Sequence, residues 1–329
     1  MKEIFITGGA GYVGSHCVIS LIENGYKPII IDNFSNSKKD VVKKLQIITK
    51  KKIIFYKVDL RNKKKLNNIF SKHNCYCVIH CAGLKSVAES TKNPLLYIEN
   101  NIASTISLLE CMKEHGIFKI IFSSSATVYN SDQTLPLKET ALTGQTTNPY
   151  GTTKFLIERV LKDVSKFDKN WSITIARYFN PISNHTSAVI KENPIGSPNN
   201  LIPIIAKVAQ KKINFLKVFG KNYQTKDGTC IRDYIHVMDL ANGHVAILNK
   251  KLKKGFEVYN FGTGKGYSVL EIINCFEKYT GKPVPYKFAN RRKGDVAISL
   301  CNTQKSIKKL NWKAIYSLKD AMKDLKKSL

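Results

Sequence analysis

The stretch ITGGAGYVGSH (residues 6–16) joins a short apolar run, EIFITG (3–8), to a segment with helical spacing, YVGSHCVISLIENG (12–25). Gly8, Gly11 and Gly14 recur every third residue within it. Glycines in that pattern allow a tight turn, close backbone approach to a pyrophosphate and close helix–strand packing. The helix that follows offers N–H groups and the positive end of its dipole to an anion. A glycine trio also suits any tight turn, so the flanking strand and helix carry the argument. Asp32, closing the next strand-like run KPIIID (27–32), adds to it. A carboxylate there accepts hydrogen bonds from a ribose 2′-hydroxyl and repels a 2′-phosphate, which favours NAD over NADP. The bland alternative for Asp32 is a solvated turn residue.

The same rhythm continues outward from this loop. IIFYKVDL (53–60), YCVIHCAG (76–83), FKIIFSSS (118–125) and SITIARYFN (172–180) read as strands. RNKKKLNNIFSKH (61–73), LLYIENNIASTISLLECMKEHG (95–116) and YGTTKFLIERVLKDVSKF (150–167) read as helices. Continuous apolar strands alternating with helices predict a parallel sheet covered on both faces, doubly wound by right-handed crossovers. Beyond residue 180 the loops lengthen and fill with Asn, Pro and Gly. The expected architecture is therefore α/β. A Rossmann domain over 1–180, recruiting part of 233–265, precedes a smaller mixed α/β substrate domain over 181–329.

Composition narrows the function classes. The 329 residues carry 43% hydrophobic and 23% charged side chains, which fits a soluble globular protein. The opening MKEIFITGG lacks a signal-peptide pattern, so none is expected, and no apolar run approaches the roughly 20 residues of a membrane span. The eight cysteines (17, 75, 77, 81, 111, 230, 275, 301) form no CxxC pair and no metal-ligand spacing. Free thiols in a reducing cytoplasm are expected, with no metal. The formal charge is +29, from 53 basic and 24 acidic residues. Lysine runs spread along the whole chain without interleaved aromatics read as a lysine-biased composition, not as a nucleic-acid surface. Only six basic residues are arginines, at 61, 159, 177, 232, 291 and 292. A planar bidentate fork is what lysine cannot replace, so each position invites a question.

Tyr150 and Lys154, in NPYGTTK (148–154), stand four apart on one helix face. A cation beside a phenol lowers its pKa and makes tyrosine a usable base, and an oxidised nicotinamide would lower it further. An ordinary helix start with an exposed lysine is the alternative. FSSSATVY (122–129), at the carboxyl end of the fifth strand, tips the balance, because ligands of open α/β sheets bind there. Ser125 is placed to bond both a reacting hydroxyl and Tyr150. Ser123 and Ser124 are expected to satisfy backbone groups at the strand end. Asp59 is expected to meet an adenine or to cap the following helix. For Arg232, pairing with Asp233 or Asp239 is the structural alternative to ligand binding. For Asn200 the alternative is a helix cap, and for Phe219 a place in the core.

The glycine loop, the serine and the Tyr-x-x-x-Lys pair are similar to those of the extended short-chain dehydrogenase/reductase family. The likeness extends to LNW (310–312). Within that family the chain resembles the nucleotide-sugar 4-epimerases, through DNFSNSK (32–38), CAGLKSVAES (81–90), RYFNP (177–181), PNNLIP (198–203), DGTCIRDYIHVMDLA (227–241), YNFGTG (259–264) and RRKGD (291–295). The resemblance implies interconversion of UDP-glucose and UDP-galactose by transient oxidation at sugar C4 with tightly bound NAD. Tyr150 would be the base, Lys154 would bind the nicotinamide ribose, and Ser125 would assist proton transfer. NAD would contact Gly8, Gly11, Tyr12, Val13, Gly14, Asp32, Asn33, Phe34, Ser35, Asn36, Ser37, Asp59 and Leu60. It would also contact Cys81, Ala82, Gly83, Lys85, Asn100 and Phe179, besides the three catalytic residues. The UDP-sugar would meet Lys85, Ser125, Thr127, Tyr150, Asn180, Asn200, Leu201, Phe219, Arg232, Arg292, Asp295 and Ser299. A homodimer packed through helices near 94–114 and 150–167 is also implied, with no nucleic-acid or membrane partner.

The related sugar 4,6-dehydratases carry an Asp-Glu pair after the serine or threonine. Here Ala126 and Thr127 follow Ser125, so the acid–base pair needed for elimination is missing. Asn130, NPISNHTSA (180–188) and DVAISLCN (295–302) depart from the family pattern. Ser299 stands where some relatives carry a tyrosine that narrows the sugar pocket, which implies room for an N-acetyl group at C2.

Overall fold

The computed structural model describes residues 1–193, 195, 200–292 and 294–329. Pro198, Asn199 and Lys293, part of the motifs quoted above, lie outside the described residues. The first half follows the predicted alternation: β1 (Glu3–Thr7), α1 (Tyr12–Glu23), β2 (Lys27–Asp32), α2 (Asp40–Thr49), β3 (Ile54–Lys57), α3 (Lys63–Phe70) and β4 (Cys75–His80). It continues through α4 (Val87–Lys92), α5 (Pro94–Ile98), a π-helical stretch (Glu99–Ala103), α6 (Ser104–Glu114), β5 (Lys119–Ser125), α7 (Pro149–Phe167) and β6 (Ser172–Tyr178). The remainder comprises β7 (Asn180–Ile182), α8 (Leu201–Ala209), β8 (Leu216–Phe219), β9 (Ile231–His236), α9 (Val237–Asn249) and β10 (Gly255–Phe261). It ends with β11 (Gly266–Ser268), α10 (Val269–Thr280), β12 (Tyr286–Ala289), β13 (Ile298–Ser299), α11 (Gln304–Leu310) and α12 (Leu318–Lys326).

Seven strands form one sheet in the order β10-β6-β5-β4-β1-β2-β3, every pair parallel. Successive strand residues point to opposite faces, so an apolar run feeds two cores at once. Ile4 and Ile6 pack with Val18 and Leu21 of α1 on one face. Phe5 packs with Ile29, Ile31 and Leu108 of α6 on the other. These side chains are fully buried, each worth about 1.5–3 kcal/mol of transfer free energy. The Rossmann expectation therefore holds, and the seventh strand, β10, comes from residues 255–261.

A second group of strands centres on β9, which pairs with β7 and β13 in parallel and with β11 antiparallel. β8 and β12 pair separately. Ile202, Ile205, Val218, Tyr234, Ile272, Phe276 and Met322 form the core beneath them.

Two local expectations need correction. The helix read over 95–116 is interrupted, because the π-helical turn at 99–103 separates α5 from α6. A π turn inserts one residue per turn and re-aims the side chains beyond it. Helix α2 went unrecognised, since its lysines masked a two-residue apolar stripe of Val42 and Leu45.

Candidate active site

β1 and β4 are neighbours in the sheet but not in the chain, and their carboxyl ends part into a cleft of about 370 Å³. This is the topological switch point at which open α/β sheets bind ligands. The glycine loop forms one wall. A Cβ at Gly14 would overlap the Gly8 carbonyl oxygen, so only glycine lets α1 start this close to β1. A Cβ at Gly11 would touch only Gly8 O, at 3.1 Å, with its remaining surroundings open. α1 starts at Gly11 without a side-chain cap and with no acidic residue in its first turn. Its N-terminal dipole is thus left for a ligand.

Asp32 closes β2 and is held in place from three directions. It accepts Ala10 N–H at 3.0 Å, Phe34 N–H at 2.7 Å and the Ser37 hydroxyl at 3.3 Å. Burial raises its pKa, and these bonds oppose the rise. Asp59 does not cap α3, a task the Asn62 side chain performs by accepting Lys65 N–H. Asp59 instead accepts Arg61 Nε and Nη2, both at 2.9 Å, together with Asn33 Nδ2 at 3.1 Å. The Arg61 bonds are the main reason its pKa falls to about 2.

Ser125, Tyr150 and Lys154 sit on the opposite wall. Asn148 caps α7 by accepting Gly151 N–H at 2.9 Å, and Pro149 occupies the first turn. A Cβ at Gly151 would lie 2.9 Å from the Thr127 carbonyl oxygen, so this glycine lets α7 dock on the end of β5. That docking sets Tyr150 beside Ser125, whose hydroxyl acts to lower the phenol's pKa. Ser125 Oγ accepts Thr127 N–H at 3.2 Å and Thr127 Oγ1–H at 3.0 Å.

Lys154 donates to the Ser123 carbonyl at 2.7 Å, with its ammonium 5.9 Å from the Tyr150 ring centre. The expected lowering of the tyrosine pKa is not what the chain produces by itself. Burial pushes Tyr150 up to about 12, opposed only by the Ser125 bond. Lys154 donates no hydrogen bond to the phenol oxygen; its ammonium bonds the Ser123 carbonyl instead. Burial lowers Lys154 itself to about 8, with Cys81 and Glu158 opposing. Ser124 also departs from expectation, since it donates at 2.5 Å to the carboxylate of Glu158 and not to a backbone group.

The cleft gathers most of the residues singled out from sequence. Along the glycine-loop wall it gathers Gly8, Gly11, Tyr12, Val13, Gly14, Asp32, Asn33, Ser35, Asn36, Ser37, Asp59 and Leu60. Cys81, Ala82, Gly83, Lys85, Asn100, Ser125, Thr127, Tyr150, Lys154, Phe179, Asn180 and Asn200 complete it. Phe34 is not among its walls and adopts φ +59° beside Asp32. Asn200 does not cap α8 with its side chain, but donates to Glu192 at 2.7 Å. Lys85 pairs with the same carboxylate at 2.5 Å. Glu192 was not anticipated, and its irregular loop offers no periodic signal. Glu158 was also missed, although it follows Lys154 by one helical turn and was legible on that ground.

A second group forms around β9. Arg232 lies 3.8 Å from Asp295, not against Asp233 or Asp239. Asp233 is engaged by Thr263 and Gly264 N–H, and Asp239 by Ile315 and Tyr316 N–H. Arg292 donates to Asp295 at 2.9 Å and stacks on Phe219 at 4.9 Å. Ser299 pairs in register with Arg232. Leu201 packs at the edge of the core beneath. β9 links this group to the cleft, because Asn180 pairs with Tyr234 two residues beyond Arg232.

Fold and cleft together define a Rossmann-type dinucleotide-binding protein with a Ser/Tyr/Lys group at its switch point. The chain belongs to the NAD dependent epimerase/dehydratase family, whose profile matches residues 4–262. It is 47% identical to the UDP-glucose 4-epimerase of Bacillus subtilis (strain 168), over 98% of this chain and 95% of that protein. Among solved structures it is similar to the UDP-glucose 4-epimerase of Bifidobacterium longum in complex with NAD+ and UDP. That likeness has TM-score 0.97 at 45% identity, covering 99% of this chain and 98% of that one. It is also similar to the UDP-Glc/GlcNAc 4-epimerase of Campylobacter jejuni, with TM-score 0.85 at 33% identity over 99% of this chain and 98% of that one.

Proposed function

We propose that this protein interconverts UDP-glucose and UDP-galactose, with Tyr150 moving the proton of the sugar 4-hydroxyl. The observation that carries the reading is the docking of Tyr150 and Ser125 in a cleft whose other wall is the glycine loop and Asp32. The uncapped start of α1, the open side of Gly11 and the fixed Asp32 carboxylate fit a dinucleotide. When bound, NAD supplies a reversible hydride acceptor at C4. Ser125 presents its proton to the phenol, and Lys154, held by Ser123, stays fixed beside it as a mostly cationic group near neutrality. Arg232 and Arg292 hold the diphosphate, so the sugar can turn without leaving the site. Residues 1–180, with part of 233–265, form the cofactor half, and 181–329 the UDP-sugar half.

The test is to give purified protein UDP-galactose with no added NAD and to assay UDP-glucose. Tyr150→Phe should lower kcat by about 10²–10⁴-fold. Full activity in that variant would remove the assigned base. Ser299 lies beside Arg232 in register, and its small side chain supports acceptance of UDP-N-acetyl sugars as well. Ser299→Tyr should abolish turnover of UDP-N-acetylgalactosamine while sparing UDP-galactose. No detectable turnover of the N-acetyl sugar by the unaltered protein would sink this extension.

The same reading takes the protein to be a cytoplasmic homodimer. No helix among the described residues is long and apolar enough to cross a membrane. All eight cysteines are free. Leu95, Leu96, Ile98, Ile106 and Leu156, on α5, α6 and α7, are exposed apolar side chains on the helices expected to pair. Sedimentation velocity reads the oligomeric state, and Leu95→Glu should shift it toward monomer.

A further inference from the structure

Three side chains distant in sequence meet beneath the cleft. They are Cys17 on α1, Cys81 after β4 and His244 on α9, their ligand atoms all within 4.8 Å of one another. Such a trio suggests a metal site, but the imidazole is already committed. Its Nδ1 faces the Leu240 carbonyl oxygen at 2.9 Å, which only an N–H satisfies. Nε2 is then the acceptor for the Tyr178 hydroxyl at 2.6 Å. Neither nitrogen keeps a lone pair for a cation. What remains is a pair of thiols, with Cys17 Sγ 3.6 Å from the Nδ1–H.

The two thiols are not equivalent. Cys17 is fully buried, whereas Cys81 is half-buried and lines the cleft. The neighbouring Cys17 thiol, within 4.8 Å, and the Lys154 charge favour the Cys81 thiolate and lower its pKa against the effect of burial. The Cys17 thiol is pushed up, by Cys81 first and burial second. The titratable groups facing the pair are thus Lys154 from α7, Tyr178 from β6 and His244 from α9. An accessible thiolate beside a cation, with a second thiol behind it, is the environment of a redox-reactive cysteine.

We propose that Cys17 and Cys81 are a peroxide-sensitive dithiol in the floor of the cofactor cleft, Cys81 attacking and Cys17 resolving. The Cys81 thiolate attacks one oxygen of a hydroperoxide and breaks the O–O bond. The departing oxygen takes a proton and leaves as water or alcohol, and Cys81 becomes a sulfenic acid. Cys17, losing its proton, attacks the Cys81 sulfur, and hydroxide leaves and is protonated to water. Two thiols lose two electrons to the peroxide, and an S–S bond joins α1 to the Cys81–Gly83 wall of the cleft. A thiol reductant reverses the change.

The test treats the protein as purified, cofactor included, with hydrogen peroxide and reads it by mass. The expected result is loss of two hydrogens, a linked pair of peptides carrying Cys17 and Cys81, and return of the free thiols with reductant. Cys275, the other half-buried cysteine, is the internal control. Cys81 should be alkylated at least ~10-fold faster than Cys275. Cys17→Ala should remove the linked pair and leave Cys81 with two or three added oxygens that reductant does not remove. Cys17→Ser serves the same purpose should the alanine cavity impair folding. Absence of the linked pair in the unaltered protein, or a Cys81 no faster than Cys275, overturns the proposal. The mass readout does not depend on sugar turnover, so failure here and failure of the epimerase reading are separate results.

Discussion

Arg177 and Arg292 are used in opposite ways. Arg177, on β6, has a 6% exposed side chain and every face engaged. It makes a bidentate pair with Glu158 at 3.0 and 2.6 Å, donates to the Glu139 carbonyl at 3.2 Å and stacks on Tyr129 at 4.7 Å. Arg292 is 49% exposed on its side chain and donates from Nε alone, to Asp295. Its terminal nitrogens point no bond at another described residue, and Arg232 nearby reaches Asp295 only at 3.8 Å. A filled guanidinium fixes structure, whereas an open one keeps its donors for a ligand. Both uses need the planar fork, which is why arginine persists at these positions in a lysine-biased chain.

Removing the filled arginine should have the largest effect on stability. Arg177→Met leaves the Glu158 carboxylate buried with only the Ser124 hydroxyl as partner. Breaking such a pair from one side costs about 3–5 kcal/mol, whereas replacing both partners is often near neutral. Urea unfolding should therefore show a large loss for Arg177→Met and partial recovery for Arg177→Met with Glu158→Gln. A loss below about 1 kcal/mol in the single variant would erase the contrast between the two arginines.

Removing the open arginine should reverse the pattern. Arg292→Met should change stability by no more than about 0.5 kcal/mol, as exposed substitutions do. KM for the proposed UDP-sugar should rise by roughly 10–100-fold, the loss expected of one charge-assisted bond set. kcat should hold, because a diphosphate clamp of the proposed kind would grip ground and transition states alike. A fall in kcat with KM unchanged would move Arg292 from the clamp to the chemistry.

The same contrast explains what the sequence made legible. The glycine loop, the strand runs and the cleft residues on strand ends were readable because local periodicity and turn chemistry fix them. Tyr150 and Lys154 were readable because one helix face carries both. The Asp295 partnership of Arg232 was not, because chain neighbours Asp233 and Asp239 are drawn off by backbone N–H groups of distant loops. Sequence spacing also failed for Cys17, Cys81 and His244, which only the packing of α1 against α9 beside the end of β4 brings together. That burial alone holds Tyr150 high in the chain by itself was not legible, because i,i+4 spacing places Lys154 on the same face without saying what its ammonium bonds.

Arg61 lies between the two extremes and should give the smallest effect. Its fork holds Asp59 through Nε and Nη2, yet its side chain is 36% exposed. The folded pKa of Asp59, about 2, lies below the ordinary carboxylate value. Its stabilising contribution is therefore fully present above about pH 4 and is lost as pH falls through about 2. Solvent screening holds that contribution to about 0.5–1 kcal/mol or less. Arg61→Ala should thus unfold slightly more easily than the unaltered protein at pH 7, with the gap closing between about pH 4 and pH 2 and shrinking in high salt. A gap that survives unchanged to the acid end would assign Arg61's role to the packing of its aliphatic stem, because neutralising Asp59 removes the charge pair but leaves the stem in place.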